Sequence, residues 1–582
     1  MGGESKMKKV KASETLVQTL KNWGIDHVYG LPGDSIDTVV DALRKEQEAI
    51  EFIHVRHEEV ATLAAAAYTK LTGKIGVALS IGGPGAIHLL NGMYDAKMDH
   101  VPMLVLAGQV TTDVLNTGFF QEVNLPAIFE DVAVYNKQID NAETLADVVD
   151  EAIRTAYKEK GVAVLTIPND IPSQVIKASL EAKPVKFEQE NPKLDEAAIQ
   201  EAVTLIEKAE KPVILAGLGT KHAGPELIAF SEKLKIPIIH SLPAKTIVPD
   251  DHPNALGNLG KIGTKPAYEA MQETDLLLMF GNDYPYSDYL PKKADCIQID
   301  IDPAKISKRF PATVGLVGDA AEIISDLTAK IAPVEERKFL QACQENMQEW
   351  WKWLEEDIAQ TSDPIAPEVV MANIQKIADK DAVFSIDVGT ATVWSTRYLH
   401  LTPENDFIVS AWLGTMGCGL PGAIAAKKAF PDRQAIAIVG DGGFSMVMQD
   451  FVTAVGLNMP MIVVVLNNQQ LSFIKYEQQS AGELNYAIDL PDINYAKFAE
   501  SCGGIGFRVE KMADLEAAFE NAKLATKPVI IDVSVDSAAA PLPGKIVMDE
   551  ALGYTKFEIQ SVLEDHRFAK MPPLKTILRR FL

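Results

Sequence analysis

The sequence predicts an α/β chain of three doubly wound parallel-sheet domains, the first and third sharing one fold and the middle one Rossmann-like. Three observations lead there. Short β-branched or apolar runs alternate with helix-period segments from end to end, the rhythm of βαβ units. Two stretches rich in proline and charge, residues 182–191 and 331–337, interrupt that rhythm and read as linkers. A strand, glycine-rich turn, helix and strand near the N-terminus return 358 residues later, with Gly440 in the place of Gly82.

At roughly 100 to 200 residues per domain, a chain of 582 residues holds several units, each able to bury its own core. The expected domains are 8–182, 192–330 and 338–538, with 539–582 as a C-terminal tail. With 80 Asp and Glu against 55 Lys and Arg, the net charge is −25, which repels nucleic-acid phosphates and removes that class of partner. Cys296, Cys343, Cys418 and Cys502 have no paired spacing, so neither a disulfide framework nor a zinc site is expected. No apolar run reaches membrane-spanning length and the N-terminus has no signal-peptide core, so the chain is expected in the cytoplasm.

In the first domain an Arg56-His57-Glu58-Glu59 segment opens an expected helix over 56–69, whose early acids the helix macrodipole would favour in any case. Strands at 75–80 and 103–107 flank Gly82-Gly83-Pro84-Gly85. The middle domain begins with a strand at 213–216 and Gly217-Leu218-Gly219, but the next glycine comes only at Gly224, an incomplete dinucleotide fingerprint. Strands at 236–240 and 277–280 follow, and then Asp300 and Asp302, which suit either ribose hydroxyls or a strand-end turn. In the third domain a strand at 435–439 runs into Gly440-Asp441-Gly442-Gly443, an expected helix over 444–457, a strand ending at Leu466, and Asn467-Asn468.

That last turn carries the chemistry. Asp441 and Asn468 end neighbouring parallel strands, at the edge where open α/β sheets bind ligands. The free amides of a turn that starts a helix suit a phosphate. A carboxylate with an amide oxygen, and no Cys or His nearby, is a hard oxygen set suited to Mg2+. The plainer alternative is a helix start with Asp as cap and Asn as turn residue. Only the third copy has such ligands: the first has Gly83 in place of Asp441, and Gln109-Val110 in place of Asn467-Asn468.

With these motifs the whole chain resembles the thiamine diphosphate enzymes of the acetolactate synthase and pyruvate oxidase group. The resemblance implies that Asp441, Asn468 and the main-chain oxygen of Gln470 hold Mg2+, with Gly440, Gly442 and Gly443 at the cofactor pyrophosphate. It implies that Glu58 engages the aminopyrimidine so that the C2 proton is lost. Met416, in Gly414-Thr415-Met416-Gly417, matches the family's apolar wedge, although a lone methionine suits a core as well. The pyruvate oxidase likeness also implies FAD on Gly217, Gly219, Asn282, Asp300 and Asp319.

Acetolactate synthases carry tryptophan where this chain has Glu477. Pyruvate oxidases resemble it, with Phe473 beside the cofactor, Glu477 in the active-site channel, and Phe120-Gln121 presented from the neighbouring subunit; both aromatics also suit a packed core. The implied reaction is oxidative decarboxylation of pyruvate, through a hydroxyethyl adduct, to CO2 and acetate or acetyl phosphate. Electrons would pass through FAD to a quinone, or to O2 with phosphate. The implied assembly is a homotetramer, a dimer of dimers with each active site between two chains. Near the C-terminus Leu574, Ile577, Leu578 and Phe581 alternate with Lys575, Arg579 and Arg580, a basic amphipathic pattern that suits peripheral membrane docking or packing on its own domain. Two other functions stay open: carboligation of two pyruvates, and a non-catalytic cofactor-binding membrane partner.

Overall fold

The computed structural model describes residues 7–185, 187, 192, 195–361, 363–546, 548–565 and 579–580. The strands of the first unit are β1 (Lys8–Lys11), β2 (His27–Gly30), β3 (Glu51–His54), β4 (Gly76–Ser80), β5 (Met103–Gln109), β6 (Ala133–Gln138), β7 (Val162–Pro168) and β8 (Val175–Ala178). The middle unit has β9 (Pro212–Ala216), β10 (Ile238–His240), β11 (Ala255–Asn258), β12 (Leu276–Phe280), β13 (Asp295–Asp300) and β14 (Val314–Val317). The third has β15 (Val383–Ile386), β16 (Asp406–Ile408), β17 (Ala435–Gly440), β18 (Ile462–Asn467), β19 (Ile505–Val509) and β20 (Val529–Ser534).

Among the described residues these form three six-stranded sheets, ordered β3-β2-β4-β5-β7-β6, β11-β10-β9-β12-β13-β14 and β16-β15-β17-β18-β20-β19, with β1 and β8 paired apart. Neighbouring strands within each six-stranded sheet run parallel, while β1 and β8 are antiparallel. The first and third sheets thread their strands in one and the same order, and the middle sheet has the order of a Rossmann dinucleotide fold. Central strands such as β4, β5, β9, β12 and β18 are buried along their whole length. Burial on both faces is why they read as unbroken apolar runs.

Helices cover the sheet faces and weld the units. The helix Glu58–Thr72 of the first unit packs along Gly419–Ala429 of the third. Their small side chains, Ala61, Ala64 and Ala65 against Ala423 and Ala426, belong to one continuous core. A second core joins Leu256 and Met271 of the middle unit to Met371 and Trp394 of the third.

Two helix expectations are corrected. The helix expected over 444–457 starts at Asp441 and is broken into Asp441–Val447, a 3-10 turn Met448–Asp450 and Phe451–Gly456. Gly440 is its extended N-cap, so both following glycines fall in the first turn, where amides have no helical partner. The break lets the Asp450 carboxylate accept the Arg56 amide at 2.7 Å and the Thr453 hydroxyl at 3.0 Å. The helix expected over 56–69 starts at Glu58, because His57 is its N-cap and accepts the Glu59 amide at 3.2 Å. In the first and third sheets the strand order reverses at the far edge, and in each sheet it reverses between β2 and β4, β9 and β12, or β15 and β17. The crevice beyond the strand ends there is where this architecture holds ligands.

Candidate active site

The turn after β4 gathers the first cluster. Glu58 is buried at the start of its helix, its Oε2 2.9 Å from His88 Nδ1. Gly85 lies beneath it, where a Cβ would stand 2.8 Å from Glu58 Oε1. Gln121 takes a φ of 62° and lies over Gly83, whose Cβ would come within 2.9 Å of the Gln121 carbonyl. The Phe120 ring beside it is 76% exposed. His88 and His57 were not singled out in the sequence, since His88 reaches Glu58 across 30 residues and no local spacing marks it. His57, Glu58 and His88 put ligand-type atoms within 4.8 Å of one another, and the two imidazoles stack with ring centres 4.5 Å apart at 25°.

The turns after β17 and β18 form the second cluster. Asp441 is buried and its oxygens accept the Gly442 amide at 3.0 Å and the Gln469 amide at 2.7 Å. Burial pushes its carboxyl up to about 6, a cost that a bound cation would offset. Asn468 accepts the Gln470 amide at 3.1 Å and donates to Ser472 at 2.7 Å. The Gln470 side chain is turned to Asp489, 2.8 Å away. A carboxylate, an amide oxygen and a main-chain carbonyl are the donor chemistry that Mg2+ takes. Asn467, by contrast, is fastened to Asp532 at 3.0 Å and belongs to the fold.

Gly442 and Gly443 are glycines because space is short. A Cβ at Gly442 would meet Leu471 at 2.8 Å and the Met416 methyl at 3.4 Å, and one at Gly443 would meet the Asp387 carboxyl carbon at 2.9 Å. Asp387, at the end of β15, was missed by the sequence reading. It is fully buried, takes the amides of Gly417 at 2.8 Å and Val388 at 2.7 Å on one oxygen, and among the described residues its other oxygen has no partner. Burial pushes it up to about 6.

The helix Ser472–Ala481 carries Phe473 and Glu477 to the edge of the middle unit. There Lys261 lies 5.5 Å from the Phe473 ring centre and 3.6 Å from Glu477 Oε1. In the middle sheet Gly217 and Gly219 cross directly over Gly281: a Cβ would stand 2.2 Å from its carbonyl or 2.7 Å from its Cα. That approach requires both glycines whatever binds nearby. Asn282 is buried with its side-chain amide nitrogen unpartnered among the described residues, a donor free for a ligand. Asp300 accepts the Asp302 amide at 2.9 Å and burial raises its pKa. Asp302 caps Ala304 at 2.9 Å, as a turn residue does, and Asp319 caps the helix Ala320–Lys330 through the Ala321 and Glu322 amides.

Within one chain the two clusters are not bonded to each other directly. Asp450, which holds the Arg56 amide, lies nine residues beyond Asp441, past the break in the helix. Among the described residues no hydrogen bond joins Glu58 to Asp441, Asn468 or Met416.

Three family models match this geometry unit by unit: the N-terminal thiamine pyrophosphate binding domain over residues 10–128, the central domain over 199–327 and the C-terminal binding domain over 387–533. The chain belongs to the thiamine pyrophosphate enzyme family. Its relatives include YdaP of Bacillus subtilis, 51% identical with 98% of this chain and 99% of that one covered. A pyruvate oxidase of Lactiplantibacillus plantarum is 40% identical, with 99% and 97% covered. An acetolactate synthase large subunit of Haemophilus influenzae is 30% identical, with 93% and 97% covered.

This thiamine pyrophosphate enzyme has, among its described residues, no helix long and apolar enough to cross a membrane. Of the basic C-terminal pattern, Leu574, Lys575, Ile577, Leu578 and Phe581 lie outside the described residues. Arg579 and Arg580 do not face outward as a docking surface would require. Arg580 is buried, donates to the Leu542 and Pro543 carbonyls at 3.2 Å and lies over the Trp350 ring; Arg579 pairs with Glu356 and lies over Trp353. Planar guanidinium groups stack on indoles and fork between carbonyls, so apolar and polar neighbours hold both inward.

Proposed function

We propose that this enzyme is a pyruvate oxidase: it decarboxylates pyruvate oxidatively to CO2 and acetate or acetyl phosphate, using thiamine diphosphate, Mg2+ and FAD. The observation that carries the reading is the junction at Lys261, where Phe473 and Glu477 of the third unit touch the middle unit. Side chains that follow the Asn468 turn therefore reach the middle unit directly. Identity of 40% to a pyruvate oxidase over nearly the whole chain, against 30% to an acetolactate synthase, supports the same branch.

Bound thiamine diphosphate supplies a C2 carbanion and an electron sink for decarboxylation. Asp441, Asn468 and the Gln470 carbonyl would hold Mg2+, and the amides of Gly442 and Gly443 the pyrophosphate. Glu58 would engage the aminopyrimidine through Oε1, while His88 fixes Oε2. Gln121, Phe473 and Glu477 line the substrate channel and exclude water from it. The middle sheet would offer FAD Asn282 at its switch point, where Gly217 and Gly219 let the turns close, and Asp300 at the end of neighbouring β13. Because no hydrogen bond among the described residues joins Glu58 to the Asp441 cluster and Phe120 is exposed beside Gln121, each complete site is built by two chains, in a homotetramer of two dimers. FAD, when bound, would supply the route for electrons to a quinone, or to O2 with phosphate.

The test is an anaerobic absorbance spectrum of the protein with Mg2+ and thiamine diphosphate, before and after pyruvate. Flavin bands that bleach support the reading, and O2, phosphate and a quinone are then compared as reoxidants. A flavin that stays oxidised while pyruvate disappears, or no flavin at all, overturns it in favour of carboligation.

A further inference from the structure

Met416 sits between two glycines in left-handed conformations, Gly414 at φ 69° and Gly417 at φ 85°. Such a loop has little conformational order of its own, and its fastenings come from elsewhere. Asp387 holds the Gly417 amide from below. Ser410 Oγ of the same unit accepts the Thr415 amide at 3.1 Å and Arg309 of the middle unit lies over the Trp412 ring; further fastenings come from the first unit. Asp99 accepts the amides of Ala411 at 3.4 Å and Trp412 at 3.2 Å, and Lys70 donates to the Val409 carbonyl at 3.2 Å. Closest to Met416, the Asn91 side-chain amide donates to Thr415 Oγ1 at 2.8 Å and to Glu59 Oε1. Thr415 Oγ1 in turn donates to the Met416 carbonyl at 2.9 Å.

We propose that Asn91, oriented by Glu59, is a positioning residue that sets Met416 through Thr415. Glu59 is adjacent to Glu58 but faces another way: Glu58 meets His88 and Gly85, whereas Glu59 reaches the third unit through Asn91. The first unit therefore supplies one proposed catalytic acid and also braces the cofactor-bending loop of its own chain. The macrodipole alone does not account for Glu59, because its carboxylate is spent on a specific amide. The inference rests on the reading of Met416 as the residue that bends thiamine diphosphate.

The experiment compares wild type with Asn91→Ala, Thr415→Val and Thr415→Ser in the full chain. It measures hydrogen–deuterium exchange at C2 of bound thiamine diphosphate, cofactor affinity by titration, and amide exchange over 409–417 in the cofactor-free protein. Thr415→Val and Asn91→Ala are expected to slow C2 exchange by about tenfold or more, as misplacement of a reacting group does. They should also speed amide exchange in the loop, while cofactor affinity stays within a few-fold. Thr415→Ser keeps the hydroxyl and should behave as wild type. C2 exchange unchanged in Thr415→Val overturns the proposal, as does Thr415→Ser matching Thr415→Val, or affinity falling in parallel with exchange. If Asn91→Ala fails to fold, the threonine pair decides alone. Wild type that binds no thiamine diphosphate would overturn the reading beneath; wild type that binds it with an indifferent Thr415 would overturn this inference only.

Discussion

After β4 the chain turns through Gly-Gly-Pro-Gly, and after β17 through Gly-Asp-Gly-Gly, on sheets threaded in the same order. In both, the fourth residue is a glycine pressed by a carboxylate: Glu58 on Gly85, Asp387 on Gly443. The carboxylates come from different places, the start of a neighbouring helix in one copy and the end of the adjacent strand in the other. Glu58 and Met416 themselves stand at the repeat offset of 358 residues. One frame has thus kept its backbone and its crowded glycine while assigning an acid to one copy and a thioether to the other. The lesson is that topology fixes where a site can be, and a few side chains decide what it does.

The comparison is broken most severely by removing its two acids. Glu58→Gln should keep thiamine diphosphate but lose on the order of a hundredfold in turnover, as loss of a general acid–base group does; near-normal kcat would refute the role. Asp441→Ala should instead weaken Mg2+ and cofactor binding, on the order of tenfold or more, and calorimetric titration would read it. Unchanged binding would place the metal elsewhere.

A smaller effect tests the contact between the copies. Asp450 is fully buried and its pKa is pushed up to about 6 by burial. Unfolded, it would ionise near 4, so between about pH 4 and 6 the folded state binds the extra proton and stability falls as pH rises. Asp450→Asn keeps the acceptor for Arg56 and Thr453 and should remove a slope of about 2–3 kcal/mol across that window. Denaturant midpoints at pH 4.5 and 6.5 would show whether the slope survives. The smallest effect sharpens the crowded glycines. Gly443→Ala presses on rigid, buried Asp387 and should cost about 1–3 kcal/mol of stability, as overpacking does, whereas Gly85→Ala meets the end of a longer side chain and should lower turnover more than melting temperature.

How much of this could be read in advance follows from burial. Strands β4, β5, β9, β12, β17 and β18 are central, so their unbroken apolar runs and following glycine turns were legible, and so was the repeat. Edge strands such as β6, which alternates exposed and buried residues, and β19, only partly buried, gave no such run. The Asp441 and Asn468 pair was visible because both residues end strands whose spacing is local. His88, Asp387, Asn91 and Lys261 were not, because each acts on residues tens to hundreds of positions away and only the assembled sheets bring them there. The bond from Asn91 to Glu59 was hidden for the same reason, since Asn91 is in the crossover that follows β4.

That no hydrogen bond among the described residues joins Glu58 to Asp441 within one chain has a genetic consequence. Two inactive proteins, one Glu58→Gln and the other Asp441→Ala, each carry the half that the other lacks. If each complete site takes its halves from two chains, subunits mixed under conditions that let them exchange should regain activity, with one unblemished site in every hybrid dimer and a doubly damaged one beside it. Intragenic complementation of this kind would make two null alleles viable together, and its absence would mean that each chain closes its own site.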